Sequence, residues 1–592
     1  MRNLILFLII SSVLMISACK LQQSSSSNYE TSKEEIKSMM LQQATDWSKG
    51  DLEAFMQGYI KSDNLKFVGG NGLTYGWEQT LENYKKGYPT KDHSGILTFD
   101  LLEFDQLADD VFLVIGEYHL KRSLGDANGM FSVILKRING EWKIIADHSS
   151  SSSSLRSIKK ISLKNDPDFK SKLLVWAQQF EQVVWLDSNN YPQKYSKFQA
   201  VLAVDAHSIL QSDFRNAFTK LKNYKTNLRD YIFGYLSYDL KNDIEDLKSD
   251  NFDGLQFPEL YFFQPKRLFF LNDNEVEVQY LKEFEAEIED DLSNIFNMDK
   301  VSDKPNNSVK DYRIKHEVKI HKRVTKKAYL NNLQVIQEHI HRGDIYEVNY
   351  CQEFYAENAH INPLKVYLHL NDISKPPFAS YVKLNDLFLL SASPERFVTK
   401  KKNKIISQPI KGTAKRSTNK STDNKLAQAL SIDKKERAEN IMIVDLVRND
   451  LSKTAIRGTV TVEELCKVYS FDQVHQMIST ITSMIGDQTE SVDVIKSLFP
   501  MGSMTGAPKI SAMKIIEKLE TTKRSLYSGA VGYFSPSDDF DFNVVIRSIL
   551  YNRSAKYLSY SVGGAITTES DPEKEYQECL LKAIAMKKAL KN

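Results

Sequence analysis

The chain has almost no cysteine. Four in 592 residues, Cys19, Cys351, Cys466 and Cys579, are too few for a disulfide framework, and no two have the spacing of a CxxC metal or redox motif. There is no surplus of either charge. Lys and Arg total 78 and Asp and Glu total 76, a formal net charge of +2, which excludes the strong basic excess of a dedicated nucleic-acid binder. A GK[ST] phosphate loop and a GxGxxG dinucleotide fingerprint are both missing, as is a GxCxG nucleophile segment. Internal repeats are absent, and past the first twenty residues no apolar run is long enough to cross a bilayer. What remains is an ordinary globular balance, 42% hydrophobic and 26% charged, in a chain long enough for about three or four domains.

The N-terminus is the exception. Arg2 precedes an apolar run from Leu4 to Ile16, which ends in Ile16-Ser17-Ala18-Cys19. A basic start, a short apolar core and small residues before the cut describe a secretory signal. The ending resembles a bacterial lipobox, which implies that residues 1–19 are a lipoprotein-type signal cut just before Cys19, and that the mature chain attaches to a membrane through a lipidated Cys19. The other three cysteines are an odd count, which fits free thiols in a reducing compartment. The two ends of the argument therefore point to different compartments.

Two serine-rich stretches punctuate the chain. Residues 20–29, with Ser24 to Ser27, read as a flexible tether. Six consecutive serines, Ser149 to Ser154, read as a linker over 149–157. Between them, residues 30–148 show helical periodicity from Glu34 to Tyr59, broken at Gly50-Asp51, and a second helix from Trp77 to Lys86. Period-two runs follow at Ile96–Phe104, Val111–Leu120, Gly129–Lys136 and Trp142–Ile145. Helices followed by a meander give an α+β module, and the order resembles the NTF2-like (SnoaL-type) cone, a fold that fixes no function. Residues 158–592 mix strand-like runs (Val183–Leu186, Leu268–Leu271, Phe378–Val382, Leu387–Ser391) with helical ones (Lys327–His341, Lys434–Asp450, Ile510–Glu520). The polar stretch Asp290–Asp311 reads as a surface linker.

Five segments of the large module carry chemistry. Glu395, in Ser391-Ala392-Ser393-Pro394-Glu395-Arg396-Phe397, is a lone carboxylate just after an apolar strand. Lys411, in Pro409-Ile410-Lys411-Gly412-Thr413, stands between an apolar residue and a Gly at a strand end, where an amine can be desolvated and reactive; a surface lysine in a loop is the alternative. Glu439 lies in Glu436-Arg437-Ala438-Glu439-Asn440, at the start of a helix. The Gly-rich run from Pro500 to Lys509 precedes a helix, a place that suits an anion; a plain turn fits the same residues. Glu575, Glu578 and Lys582 share a helix face at i, i+3 and i+7, where two carboxylates suit a hard cation such as Mg²⁺; a solvated salt-bridged stripe fits that spacing too.

Taken together and in order, these segments resemble the chorismate-utilising enzymes over nearly all of residues 160–592. Gly343-Asp344-Ile345-Tyr346-Glu347-Val348-Asn349, Arg437 to Leu451, Val474-His475, Tyr527 to Tyr533, Val545-Ile546-Arg547 and Asp571 to Tyr576 extend the likeness. Within the family, Lys in the PIKGT segment marks the aminodeoxychorismate synthase component I branch, whereas the anthranilate-forming branch has Ala there. The resemblance implies a two-layered β-sandwich flanked by helices, with chorismate as substrate and Mg²⁺ as cofactor. It assigns metal ligation to Glu439, Glu575 and Glu578. Lys411 is the nucleophile, Glu395 the general acid, and His475 an active-site histidine. Ser503, Tyr527, Arg547, Gly563, Gly564 and Lys582 anchor the substrate. Lys411 must be neutral to attack, and the expectation is that burial, Mg²⁺ and the cations Arg547 or Lys582 lower its pKa. Ammonia is expected from a separate glutamine amidotransferase subunit. Ala565 and Glu569 depart from the relatives' usual Gly and Asp, and Trp185-Leu186-Asp187-Ser188 matches poorly the region that forms a tryptophan pocket in relatives.

The favoured expectation is an aminodeoxychorismate-forming enzyme whose large module works in the cytoplasm. An anthranilate-forming enzyme and an exported, non-catalytic lipoprotein that binds a ligand are the alternatives.

Overall fold

Ile36, Met40, Ala44 and Trp47 recur at helical spacing, and in the computed structural model they are the buried stripe of a helix over 28–49. The structure describes residues 28–591 apart from 70–71, 123–126, 153–154, 165, 167, 193 and 299–317. Cys19 and most of the first serine-rich stretch lie outside the described residues. The chain divides into two compact units, Met1–Leu155 and Arg156–Asn592. Among the described residues no helix is long and apolar enough to cross a membrane.

In the small unit the first helix stops where the sequence predicts. Gly50 takes a φ of +85° that a side chain would resist. Asp51 then caps the short helix Leu52–Met56 by accepting the Ala54 N–H at 2.9 Å. The predicted second helix spans Trp77–Gly87. The four predicted strands form an antiparallel meander, Ile96–Ala108, Val111–Lys121, Ala127–Ile138 and Glu141–Ser152. Two short strands complete a six-stranded sheet: Lys66–Gly69 pairs in parallel with Glu141–Ser152, and Gly72–Tyr75 forms the edge. The helices-then-meander order is the α+β arrangement that the cone-like resemblance implies.

The second serine run is not a tether along most of its length. Ser149 to Ser152 continue the last strand and pair with Phe131, Met130, Gly129 and Asn128. Strand pairing uses backbone groups, so serines that look solvated by composition still close a sheet. The large unit opens at Arg156, inside a strand Arg156–Ser162.

That arginine is locked at once. Its Nε and Nη2 donate to both oxygens of Asp230 at 2.9 and 2.8 Å, and both side chains are buried. Removing one partner of such a pair strands the other charge. Asp230→Ala is therefore expected to destabilise the large unit by roughly 3–5 kcal/mol, read as a lower urea midpoint for that unit's transition.

Among the described residues of the large unit, twenty strands form one connected hydrogen-bonded network. Its apolar strands have two buried faces. Along Gln182–Asp187, Val183 and Trp185 enter one core and Val184 the other; along Ala200–Ser212, Leu202 and Val204 part from Val201 and Ala203 in the same way. The first core lies under helices, among them Lys326–His341, Pro363–Ser374 and Lys509–Leu519. The second holds strand residues such as Phe262, Val531 and Phe542, and helix residues such as Ile443 and Ile495. Near-continuous apolar strands, rather than alternating ones, are what a sheet covered on both sides requires.

One predicted linker is partly wrong. Ile288–Phe296 is a helix that buries Ile288, Leu292 and Ile295. Its acids, Glu289, Asp290 and Asp291, occupy the first turn, where the helix dipole favours them. The remainder of that stretch, from 299, lies outside the described residues.

Candidate active site

Glu395 sits in the short connection between strands Leu387–Ser393 and Arg396–Lys401 and is buried. The Gly-rich run reaches it through a single 3₁₀ turn, Gly502–Met504, from which the Ser503 hydroxyl donates to the Glu395 carboxylate at 2.7 Å. Burial pushes the Glu395 carboxyl up to about 7, against the opposing pulls of Ser503 and Lys411. A carboxylic acid in that range can give up a proton near neutrality.

Lys411 lies in strand Ile410–Lys415 with its side chain 13% exposed. Its ammonium donates to Glu347 Oε1 at 2.9 Å. Glu347 opens strand Glu347–Ala356 and is 1% exposed; its backbone packs so closely against Gly506 that a Cβ there would stand 2.2 Å from the Glu347 carbonyl oxygen. The expected fall in the Lys411 pKa is not what this environment produces. Burial draws the ammonium toward its neutral form, but the negative charges of Glu347 and Glu439 and the hydrogen bond to Glu347 outweigh it and hold the group more basic than a free lysine. The partners that matter are carboxylates, not Arg547 or Lys582.

The predicted acidic residues lie on two helices. Glu439 belongs to Lys434–Ser452, capped by Asp433, and Glu575 and Glu578 belong to Pro572–Lys582, capped by Asp571. Lys435 Nζ stands between them, 3.7 Å from Glu439 Oε1 and 3.5 Å from Glu575 Oε1. Ser570 donates to Glu575 at 2.9 Å. Burial pushes Glu439 up to about 7, despite Lys411 and Lys435. Glu578 is more exposed and is held by Lys582 at 2.9 Å; that lysine also donates to the Gly563 carbonyl at 2.8 Å. Gly564 faces the cluster: a Cβ on it would lie 3.3 Å from Glu575 Oε2 and 3.7 Å from Lys582 Nζ.

These residues fit a hard divalent cation. Glu439 Oε1 and Glu347 Oε2 are buried without a hydrogen-bond partner, and all the available donors are carboxylate oxygens, which suit Mg²⁺. The three predicted ligands do not already converge. Among the described residues the one group whose ligand atoms lie within 4.8 Å of each other is Asp100, Glu117 and His119, in the small unit.

Arg547 is half-buried and takes a φ of +52°, a region that a bulky side chain enters at a cost. Among the described residues its guanidinium has no hydrogen-bond or ion-pair partner, and burial lowers its pKa. It is free to receive a carboxylate in a bidentate fork. Tyr527 is buried, with its hydroxyl 3.5 Å from the Cys351 thiol. His475 is fully engaged elsewhere, with Nε2 3.0 Å from Asp423 and Nδ1 2.8 Å from the Ser470 hydroxyl. Among the described residues, neither ring nitrogen bonds to Glu395 or Lys411. Cys351, Cys466 and Cys579 are free and buried.

Two residues of this cluster had no assigned role in the sequence. Glu347 lies inside the segment Gly343 to Asn349 but is 64 positions from Lys411. Lys435 looks like any helix-surface lysine. The available signal for Glu347 was an acidic residue at the start of a strand, between Tyr346 and Val348.

A profile for chorismate binding enzymes matches residues 181–588. The chain belongs to that family. Within it, 255 residues are 39% identical to aminodeoxychorismate synthase component 1 of Escherichia coli, covering 43% of this chain and 56% of that protein. The chain thus spans about half the length of that relative. A second aminodeoxychorismate synthase component 1, from Bacillus subtilis, is 31% identical over 361 residues, 60% of this chain and 76% of that protein. Anthranilate synthase component I from Streptococcus pneumoniae shares the fold at a TM-score of 0.56 and 23% identity, over 67% of this chain and 93% of that structure. The chorismate-binding enzyme fold is therefore that of the large unit, and every residue of the candidate site, from Glu347 to Lys582, falls within the matched span.

Proposed function

We propose that the large unit aminates chorismate to 4-amino-4-deoxychorismate, a step toward 4-aminobenzoate and folate. The observation that carries this reading is Lys411: a buried amine with a carboxylate partner, beside a carboxylic acid tuned to about 7. The names of the Escherichia coli and Bacillus subtilis relatives support it.

The chemistry follows from the residues. Arg547 receives a substrate carboxylate, and Ser503, Tyr527, Gly563, Gly564 and Lys582 shape the remainder of the site. Glu439, Glu575 and Glu578 would hold Mg²⁺, which when bound neutralises carboxylate charge on the substrate. Lys411 must shed a proton before it attacks, and Glu347 Oε1 is the acceptor at 2.9 Å. The Lys411 amine then forms a C–N bond to the ring while the C4–O bond breaks. Glu395 gives its proton to the departing hydroxyl, which leaves as water. Ammonia forms the new C4–N bond, the bond to Lys411 breaks, and the Glu395 carboxylate takes the excess proton from the incoming amine. The ammonia would come from a separate glutamine amidotransferase subunit. His475 keeps its bonds to Asp423 and Ser470, and no step of this scheme uses it.

Arg547→Ala is expected to raise the KM for chorismate roughly tenfold or more, the worth of a charged hydrogen-bonded pair, with a smaller effect on kcat. Steady-state kinetics with ammonium as the nitrogen source checks this. The lysine step is tested by intact mass of the protein held with chorismate and Mg²⁺ in the absence of ammonia. An adduct of chorismate less one water, mapped to Lys411, supports the reading. No adduct, or one on another residue, contradicts it.

The same reading has the large unit working in the cytoplasm, and the three free buried thiols support it. Lipidation at Cys19 is the competing proposal. Fractionation with an antibody to the large unit decides between them: globomycin-sensitive membrane association would favour the anchor.

A further inference from the structure

The small unit holds a partly open cavity of about 450 Å³, within the usual range for a small-molecule site. Aromatic rings make its walls. Trp47 packs edge-on to Tyr84 and Tyr88 at centroid distances of 5.4 and 4.7 Å, and Phe99 meets Phe131 at 5.3 Å. One carboxylate is sealed into this lining. Asp147 is 5% exposed; its Oδ2 accepts the Tyr59 hydroxyl at 2.7 Å and its Oδ1 accepts the Ser149 hydroxyl at 2.7 Å.

Asp147 makes no ion pair among the described residues. The groups around it are Tyr59, Tyr84, Tyr118 and Ser149, with His148 next to it on the strand and exposed. Arg122 also lines the cavity, but it acts on Tyr88 and Tyr118 and is not among the charges acting on Asp147. Burial pushes the Asp147 carboxyl up, against the opposing pulls of the Tyr59 and Ser149 hydroxyls and of His148.

We propose that this cavity binds a small aromatic amine, with its ammonium on Asp147 and its ring among the tyrosines. Each oxygen of the carboxylate accepts one hydroxyl and keeps a lone pair for a further donor. A neutral donor would leave the buried negative charge uncompensated, and an anion would be repelled; an ammonium satisfies both charge and lone pairs. The surrounding π-faces favour the same cation, and flat rings fit the edge-on packing of the walls. The occupant is distinct from the dicarboxylate proposed for the large unit, and the inference stands whatever that unit's reaction.

Benzylamine and benzyl alcohol have nearly the same shape and differ in charge, so titration calorimetry of the full chain with each is the test. The expected result is one equivalent of benzylamine bound at least tenfold more tightly than benzyl alcohol, with Asp147→Asn abolishing the preference. A thermal melt shows whether that variant is folded. Tyr88→Ala, a half-buried wall residue, provides a second variant, expected to weaken both ligands while keeping the preference. Equal affinity for the two ligands, no binding of either, or a preference that persists in Asp147→Asn would overturn the proposal.

Discussion

Replacing Lys411 by alanine is expected to lower kcat for chorismate amination by at least about a thousandfold, because removing a nucleophile forfeits the covalent route rather than one contact among many. The KM should change far less, since Arg547 and the glycine strand Tyr557–Ile566 remain. The variant also leaves Glu347 and Glu439 without their ammonium. A thermal melt should accompany the kinetics, so that a folding loss is not taken for a chemical one. A variant that retains more than a tenth of the wild-type kcat would remove Lys411 from the mechanism.

Glu395→Gln has the second largest expected effect, and it points two ways. A general acid is worth roughly 10²–10⁴-fold in rate, so kcat should fall by that order. In the wild-type protein the acid must be protonated, so the rate should decline as pH rises through about 7, and this alkaline limb should vanish in the variant. Stability should move in the opposite direction. The folded-state pKa of Glu395 lies above its unfolded value, so its protonated form stabilises the fold at low pH. That contribution is present below about pH 4.5 and is lost as pH rises through about 7. Glutamine cannot ionise, so the variant should be more stable than the parent at pH 8, by up to roughly 3 kcal/mol, and similar to it at pH 4. Melts at the two pH values check the sign. A variant less stable than the parent at pH 8 would mean that Glu395 is held by more than the Ser503 hydrogen bond.

Much of this site was legible in the sequence, because the family's chemistry sits in short contiguous motifs. Glu395, Lys411, Glu439 and Glu575 each lie in such a segment, and the structure brings them to one region. What could not be read was pairing across the chain. The hydrogen bond from Lys411 to Glu347 links two strands far apart in sequence, and it reverses the expected direction of the Lys411 pKa. Lys435 between Glu439 and Glu575 is invisible for the same reason: it joins two helices whose approach no local pattern encodes. The fold shows a similar limit. Helices with a clear apolar stripe, such as Trp77–Gly87 and Lys326–His341, match expectation to within a residue or two. The serine run failed because composition reports solvation whereas the sheet asks only for backbone partners. The helix Ile288–Phe296 was hidden by three acids in its first turn, which read as linker polarity but in fact complement the dipole.

The identity of the product is the most direct test. The full chain, incubated with chorismate, Mg²⁺ and ammonium and followed by liquid chromatography with mass spectrometry, is predicted to release 4-amino-4-deoxychorismate with its enolpyruvyl side chain intact. Anthranilate, or unchanged chorismate, would contradict the account.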